Sequence, residues 1–333
     1  MGGIFVNDRA VSLLDYYDIE VIRTWKGRGA ILCEADKGLF ILKEYNGPMN
    51  KVHFQDALLN HIKEAGFTLS ESILKTKEDE LIVYDQDRIP YIVKSYFEGK
   101  ECNNREPEEC IQAVQMLAKL HNCADLSKWE GLSSQPVFRI EKEYDKHNRE
   151  LKKVRRFLRT KSQKTPFEIY LAKHYDYFFD IALQIAGEMR YYIDNEKNND
   201  REEFPIVCHG DYQYHNIIQT SDGIALVNFE KCIRDDTVRD LYLFMRKLLE
   251  KNNWSQKIGD NLLSAYDNER TLSKEDYMKL YYRFAYPEKF WKIVNFYYNS
   301  GKAWIPNRNM EKLEKLLAQE KERLEFLEII FHK

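Results

Sequence analysis

The chain has 333 residues, of which 44% are hydrophobic and 32% are charged. This composition excludes a disordered chain, and the length exceeds what one ordinary core accommodates, so two lobes are predicted. With 51 basic and 54 acidic residues, the formal net charge of −3 gives no general attraction to nucleic acid or to an anionic membrane.

The first residues are not typical of a targeting segment. The stretch MGGIFVNDRAVSLLDYYD has no apolar core long enough for a signal peptide, and it becomes acidic early. No run in the sequence approaches the length of a membrane span. The six cysteines form no CxxC pair, which is typical of reduced thiols in the cytosol. We therefore expect a cytoplasmic protein that does not insert into a membrane.

The first hundred residues are predicted to form β-strands around one helix. Three short runs, IEVIRTWKG, GAILCEAD and GLFILKEY, are rich in strand-forming residues, and Asp36-Lys37-Gly38 is typical of a tight hairpin turn. Apolar residues then recur at helical spacing over residues 50–67, and Gly66 stands where the helix would end. Residues 80–99 are predicted to form a second hairpin.

From about residue 106 the pattern is mainly helical. A β-rich island at residues 204–230, with a turn at Ser221-Asp222-Gly223, interrupts the helices. These patterns predict an α+β fold with a small β-rich lobe, residues 1–97, and a larger helical lobe, residues 98–333. The predicted helices span 106–124, 138–160, 167–193, 238–250, 255–267, 273–284, 287–300 and 307–332.

The segment LKKVRRFLRTKSQK, at the end of the second of these helices, contains seven basic residues and no acidic one. Such a run usually forms a solvated helix face. A site for phosphate or another anion is the less favoured interpretation.

His209, Asp211 and Asn216 have the spacing of the kinase catalytic loop, H-x-D-x-x-x-x-N. In such a loop the aspartate accepts the proton of the substrate hydroxyl, and the asparagine binds a metal ion on the nucleotide phosphates. The hairpin that follows ends at Asn228, which would place a further metal ligand beside the loop. The alternative, in which Asp211 only caps a turn and His209 lies in the core, is less favoured because Lys43 agrees with the kinase pattern.

Lys43 lies in the third predicted strand, shortly before the first helix. A strand lysine at this place in kinases binds the nucleotide phosphates. A lone lysine at a strand end is ordinarily a solvated residue, and the order of strands and helix is what favours the phosphate role. The segment KGRGA stands where a turn covering the phosphates would lie. The sequence has no G-x-x-x-x-G-K-[ST] motif, which excludes the P-loop class.

These motifs together resemble the aminoglycoside and choline kinase-like superfamily. Within it, the chain is most similar to the CotS-type spore coat proteins of endospore-forming bacteria, and the resemblance covers roughly residues 10 to 330. The basic helix LKKVRRFLRTK, followed by PFEIYL, also resembles that group. The stretches that carry the resemblance are FILKEYNG, LLNHIKEAGF, HGDYQYHNII, ALVNFEKC and RDLYLFMRKLLEKNNW.

The resemblance implies a two-lobed protein kinase-like fold with a site for ATP and Mg²⁺. Lys43 would contact the ATP phosphates, Asp211 would be the catalytic base, and Asn216 would be a magnesium ligand. Asn228 would occupy the position of the second metal-binding carboxylate. Asp240 would be a structural aspartate that braces the loop.

The resemblance also implies where adenine binds and which partners the protein has. Tyr96, Phe97 and Glu98 would form the hinge that faces adenine. The partners would be other spore coat proteins, and the protein would pass from the mother-cell cytoplasm to the spore coat. Neither nucleic acid nor membrane is expected as a partner.

Two departures from the kinase pattern bear on activity. Mg²⁺ prefers carboxylate oxygens, whereas the amide of Asn228 offers one carbonyl oxygen and no charge. The helix after Lys43 has Gln55 and Asp56 where a glutamate partner for the lysine is expected. Glu230 is a candidate replacement ligand, because in extended backbone it would point to the same side as Asn228.

Three hypotheses follow from the sequence. The leading one is a kinase-like coat protein with a nucleotide site and weak or absent phosphotransfer. The second is an active magnesium-dependent phosphotransferase acting on a small-molecule hydroxyl or amine, or on a protein. The third, a helical binding module without a nucleotide site, leaves the order of the motifs unexplained and ranks last.

Overall fold

The computed structural model describes residues 8–27, 29–131, 135–196, 206–299 and 306–331. Arg28, in the predicted phosphate-covering turn, lies outside the described residues, as do residues 1–7 of the N-terminal stretch. Close contacts divide the chain into two compact units, one of Met1–Pro136 with Pro205–Asp240 and one of Val137–Phe204 with Leu241–Lys333. The lobes predicted at 1–97 and 98–333 follow a different division and stay a prediction.

The first unit is built on a five-stranded antiparallel sheet with the strand order β1-β2-β3-β5-β4. The three predicted strands and the turn at Asp36-Lys37-Gly38 are confirmed, and Gly38 has the positive φ of 122° that this turn requires. The strands are β1 (Val21–Lys26), β2 (Ile31–Ala35), β3 (Gly38–Glu44), β4 (Val83–Tyr84) and β5 (Pro90–Ser95).

The two faces of this sheet have different environments because side chains alternate along each strand. Phe40 and Leu42 of β3 and Val93 of β5 belong to a buried apolar cluster. The cluster also includes Leu13 and Leu14 from the short 3-10 helix Ser12–Tyr16, which follows α1 (Asp8–Val11). The intervening residues of β3 and β5 point to the opposite face, where the candidate site lies. These residues are Ile41, Lys43, Ile92 and Lys94.

Helix α2 (Met49–Glu64) follows β3, as predicted. Leu58, Leu59 and Ile62 on its buried face are inaccessible to solvent, and burial of such side chains stabilises the fold by roughly 1.5–3 kcal/mol each. The helix ends as expected, since Gly66 follows the C-cap residue with a φ of 95°. The hairpin predicted over residues 80–99 is confirmed as β4 and β5, although β4 is only two residues long.

The segment after α2 forms connections that the sequence pattern does not predict. Ser70 makes a parallel bridge to Leu226, and Ile73 makes an antiparallel bridge to Lys94. This segment therefore joins the first sheet to the predicted β island. It also brings Glu71, the residue after Ser70, to the candidate site.

The β island is confirmed as short paired strands in the first unit. The strands β8 (Ile217–Thr220) and β9 (Gly223–Leu226) form the predicted hairpin, and β6 (Lys100–Glu101) adds to its edge. The strands β7 (Val207–Cys208) and β10 (Ile233–Arg234) form a second small ladder. Helix α3 (Pro107–Cys123), which follows β6, also belongs to the first unit.

The second unit is helical in the part that the structure describes. The pattern over residues 307–332 predicts one helical segment, but the structure has two helices that are separated at Gln319. Among the described residues, no helix combines the length and the apolar character needed to cross a membrane. The remaining helices are α4 (Ile140–Thr160), α5 (Pro166–Glu196), α6 (Val238–Lys251), α7 (Gln256–Glu269), α8 (Lys274–Ala285), α9 (Glu288–Asn299), α10 (Pro306–Ala318) and α11 (Glu320–Phe331).

The mixed α+β fold with a small antiparallel sheet near the N-terminus and helices after it confirms the fold class predicted from the sequence.

Candidate functional site

The loop that carries the H-x-D motif is held by a buried carboxylate. Asp240 is inaccessible to solvent and accepts hydrogen bonds from the backbone N–H of His209 at 2.6 Å and of Gly210 at 2.9 Å. Nε2 of His121 lies 3.3 Å from the same carboxylate. Burial alone would raise the pKa of Asp240, but the interaction with His121 holds that pKa below its ordinary value. Asp240 thus braces the loop, as the family resemblance implies.

Gly210 lets this loop approach the turn that follows Asn228. Its φ of 78° lies in the left-handed region, and a Cβ at this position would overlap the carbonyl oxygen of Lys231. Only glycine combines that backbone conformation with so close a contact. The loop and the turn are therefore packed directly against each other.

Asp211 and Asn216, the predicted catalytic pair, lie together. The side-chain amide of Asn216 donates to the backbone oxygen of Asp211 at 2.8 Å. Lys231 donates from Nζ to Oδ2 of Asp211 at 2.9 Å, and the Gln213 amide donates to Oδ1. The Asp211 side chain is only 12% exposed, so both of its oxygens are bound by neighbours and little of it meets solvent.

Asn228 lies beside this pair in a left-handed conformation, with φ 69° and ψ 51°. Asparagine tolerates this region better than most residues. Its side-chain Nδ2 lies 3.3 Å from Oδ1 of Asn216. A direct contact between two amides therefore joins two of the three predicted metal ligands.

Glu230 does not follow Asn228 in extended backbone. Residues Phe229–Lys231 form a turn of 3-10 helix after the left-handed Asn228, so the expectation of an extended segment is wrong. The proposed role of Glu230 as a metal ligand stays a prediction that no longer has this geometric basis.

The carboxylate of Glu230 is bound by two ammonium groups. Lys43 Nζ lies 2.9 Å from Oε1 and 2.8 Å from Oε2, and Lys94 Nζ lies 3.1 Å from Oε1. Burial alone would raise the pKa of Glu230, but the charges of Lys94 and Lys43 hold it below its ordinary value. Lys43 thus has a carboxylate partner, which comes from the turn after Asn228 and not from helix α2.

Lys94 also forms a buried ion pair with Glu71. Its Nζ lies 3.1 Å from Oε2 of Glu71, and the two side chains are 1% and 0% exposed. Burial would lower the pKa of Lys94, but the carboxylates of Glu71 and Glu230 raise it above its ordinary value. Lys43, Glu230, Lys94 and Glu71 therefore form one continuous network of ion pairs.

Glu71 connects this network to the backbone of the turn. It accepts hydrogen bonds from the N–H of Asn228 at 2.7 Å and of Phe229 at 2.9 Å. The amide of Gln55 on α2 donates to it at 3.1 Å. Gln55, which stands where the sequence lacks a helix glutamate, thus reaches the network through Glu71.

The predicted hinge lies against the strands of the β island. The backbone N–H of Tyr96 donates to the Leu39 oxygen at 2.8 Å, which continues the pairing beyond β5. Tyr96 and Phe97 pack on a buried cluster that includes Ile218 and Val227, the residue before Asn228. Glu98 is exposed at the end of this stretch. Tyr96 and Phe97 are half-buried, so part of their aromatic surface is left for the flat face of a base.

The sequence analysis does not predict three residues of the site, namely Glu71, Lys94 and Lys231. The sequence around Lys94 could have indicated its role, because a lysine that directly follows the apolar run YIV in β5 requires an acidic partner when it is buried. Lys231 follows the candidate Glu230 directly and could have been considered with it. Glu71 lies in a segment without a clear period, and no local pattern marks it.

A divalent metal implied by the fold does not fit this donor set. Oδ1 of Asn216 faces the Asn228 amide, and both oxygens of Glu230 and of Asp211 accept hydrogen bonds from side-chain amines or amides. Mg²⁺ requires several oxygen ligands in octahedral geometry. In the described residues around the turn, the ammonium groups of Lys43, Lys94 and Lys231 surround the oxygens that a metal would need.

The fold is similar to the folds of solved aminoglycoside phosphotransferase and choline kinase structures. An aminoglycoside phosphotransferase from Alicyclobacillus acidocaldarius is similar to this chain with a TM-score of 0.79 and 19% identity, over 99% of this chain and 96% of that one. The chain belongs to the family described as "Spore coat putative kinase YutH", whose model matches residues 10–330. The predicted relationship to kinase-like spore coat proteins is therefore confirmed.

Two further solved structures have the same fold. Spectinomycin phosphotransferase APH(9)-Ia, in complex with ADP and spectinomycin, has a TM-score of 0.61 and 13% identity over 99% of this chain and 98% of that one. Choline kinase LicA from Streptococcus pneumoniae has a TM-score of 0.52 and 15% identity over 93% and 97%. Among curated protein sequences, none matches this chain significantly.

Proposed function

We propose that the protein is a kinase-like component of the spore coat that binds a nucleotide and transfers its phosphoryl group weakly or not at all. One observation carries the proposal: Glu230, the candidate replacement for the missing metal-binding carboxylate, is here bound to lysines. Glu230 is bound by Lys43 and Lys94, and the neutral Asn228 contacts Asn216.

The physical reason is the charge balance of phosphoryl transfer. Catalysis in kinases depends on metal ions that neutralise the charge developing on the transferred group. Asn228 supplies no charge to hold such an ion, and Asp211, the candidate base, is bound by Lys231. The half-buried aromatic residues Tyr96 and Phe97 support binding of the base of a nucleotide without requiring turnover.

A thermal shift titration with ATP, in Mg²⁺ and in EDTA, tests this function on the parent and on Asn228→Asp. We expect the parent to be stabilised by ATP to the same degree in both buffers, because the neutral Asn228 stands where a metal-binding carboxylate is needed. Asn228→Asp should gain a magnesium-dependent shift and measurable ATP hydrolysis. Robust magnesium-dependent turnover by the parent would contradict the proposal.

The alternative is an active magnesium-dependent phosphotransferase that acts on a small-molecule hydroxyl or amine. It is favoured by the contact of Asn216 with the Asp211 backbone and by Lys43 on the sheet, which match a working kinase site. For this function, Lys43 and Lys94 would have to release Glu230 when nucleotide and metal bind. Transfer of ³²P from ATP to a panel of amino-alcohols, abolished in Asp211→Asn, would establish this alternative.

We further propose that the partners are other coat proteins, which the protein joins from the mother-cell cytoplasm. The family description supports this, and helix α4 offers a surface. Every exposed position on α4 except Phe157 and Thr160 carries Lys or Arg, so the helix favours an acidic protein partner. The basic residues are Lys142, Lys146, Arg149, Lys152, Lys153, Arg156 and Arg159.

Fluorescent fusions in an endospore-forming host test this partner proposal. The parent should collect at the spore surface, and the variant Lys146→Glu/Arg149→Glu/Lys153→Glu should remain in the mother cell. The matched control is a triple reversal on exposed lysines outside α4, Lys37→Glu/Lys75→Glu/Lys77→Glu, in the turn between β2 and β3 and in the segment between α2 and β4. Equal localisation of both variants would contradict a role for α4.

A further inference from the structure

Lys231 stands between the candidate catalytic base and solvent. Its Nζ lies 2.9 Å from Oδ2 of Asp211, and its side chain is 66% exposed whereas that of Asp211 is 12% exposed. It is the last residue of the turn Phe229–Lys231, and its carbonyl oxygen lies close to Gly210 of the loop. The backbone of Lys231 is therefore fixed while its ammonium group faces the open side of the site.

Two ammonium groups that bind Glu230 are less available to a ligand. Lys94 is buried and is shared between Glu71 and Glu230. Lys43 holds both oxygens of Glu230 and is 28% exposed. The charges of these four groups cancel, so the network adds no net positive charge for a bound phosphate.

The amide groups beside Lys231 are also neutral. Asn228 and Asn216, in the places of two metal ligands, contact each other through Nδ2 and Oδ1 at 3.3 Å. A nucleotide phosphate chain carries several negative charges, which a metal ion ordinarily offsets. With no carboxylate at residue 228, that offset must come from a cation of the protein.

We propose that the Lys231 ammonium supplies this charge, so that the site binds nucleotide phosphates without a metal ion. An ammonium group has three N–H donors, and Lys231 can keep its contact with Asp211 while it donates to a phosphate oxygen. Its long flexible side chain provides the necessary reach. The inference rests on the proposed nucleotide site and deepens it, because it names the residue that recognises the phosphates.

Binding of ATP and of adenosine in EDTA, measured by calorimetry, separates this inference from the proposed function. The parent should bind ATP more tightly than adenosine without any metal. Lys231→Met should lose about tenfold or more of the ATP affinity, as expected for the loss of a charged hydrogen bond, while its adenosine affinity is unchanged. Lys231→Arg should retain most of the preference for ATP.

Lys37→Met is the matched control, because Lys37 forms an exposed ion pair with Asp18 on the hairpin turn. It should leave both affinities unchanged. If ATP binds in EDTA equally well to the parent and to Lys231→Met, the inference is wrong and the nucleotide site stands. A preference for ATP that appears only with Mg²⁺ also overturns it. If the parent binds neither ATP nor adenosine, both the inference and the proposed function fail.

Discussion

Lys94 and Glu71 form an ion pair from which solvent is almost fully excluded, with 3.1 Å between Nζ and Oε2. A buried pair of this kind gives little net stability, but loss of one partner leaves an uncompensated charge. Here the pair also fixes the turn at Asn228, because Glu71 accepts the N–H groups of Asn228 and Phe229. The shape of the candidate site thus depends on two residues that are not exposed in it.

Lys94→Met should destabilise the protein by about 3–5 kcal/mol, since it leaves Glu71 buried without its ammonium partner. The double variant Lys94→Met/Glu71→Gln should recover part of this loss because the isolated charge is removed. Urea denaturation followed by circular dichroism measures both free energies of unfolding.

The exposed pair of Lys75 and Asp79 provides the control for this cycle. Its side chains are 47% and 80% exposed, and Lys75→Met should leave the free energy of unfolding essentially unchanged because solvent screens the pair. Equal effects of Lys94→Met and Lys75→Met would show that the buried pair does not constrain the fold.

Glu230 can be tested as a metal ligand in the background of Asn228→Asp, where a magnesium-dependent shift is expected. The double variant Asn228→Asp/Glu230→Gln should keep that shift, because both oxygens of Glu230 are directed to Lys43 and Lys94. The measurement is the difference in Tm with ATP between Mg²⁺ and EDTA. Disappearance of the difference in the double variant would restore Glu230 as a ligand.

The parts of the site that the sequence predicts are those set by local spacing. His209, Asp211 and Asn216 lie within eight positions, and one loop conformation brings them together. Lys43 follows from the order of strands, since alternation along β3 decides which face it occupies. Asn228 follows from the length of the hairpin that precedes it.

The parts that the sequence does not predict depend on contacts between distant segments. Glu71 and Asn228 are 157 positions apart, and no pattern around either residue indicates that they meet. The extended conformation expected after Asn228 fails for a similar reason. The hydrogen bonds that Glu71 accepts from two successive backbone N–H groups and the close approach of Gly210 stabilise a turn there instead.

Asp240→Asn should destabilise the protein by about 3 kcal/mol at neutral pH, because it removes the charge that accepts two backbone N–H groups. The pKa of Asp240 is lowered in the folded protein. Its stabilising contribution is therefore complete above the unfolded pKa of about 4 and is lost as the pH falls through the folded value. The difference in Tm between parent and variant should shrink accordingly in acid.

The control for this pH dependence is Asp222→Asn, in the exposed turn between β8 and β9. Its Tm should follow that of the parent at every pH. If the difference between Asp240→Asn and the parent were the same at pH 7 and at pH 3, the brace would not depend on the charge of Asp240.

Gly210→Ala should be much more damaging than Gly29→Ala, although both glycines have positive φ values, 78° and 71°. At Gly29 an added Cβ meets no atom within 4 Å, so the cost is the left-handed conformation alone, about 1 kcal/mol. At Gly210 the same cost is joined by overlap with the Lys231 carbonyl oxygen, which adds about 1–3 kcal/mol or separates the loop from the turn. The two variants are compared by their free energies of unfolding, and equal values would show that the loop and the turn are not held together by this contact.

Gly210→Ala should also lose ATP affinity relative to the parent, because displacement of the turn moves Lys231 away from Asp211. Parental ATP affinity in Gly210→Ala would contradict this expectation.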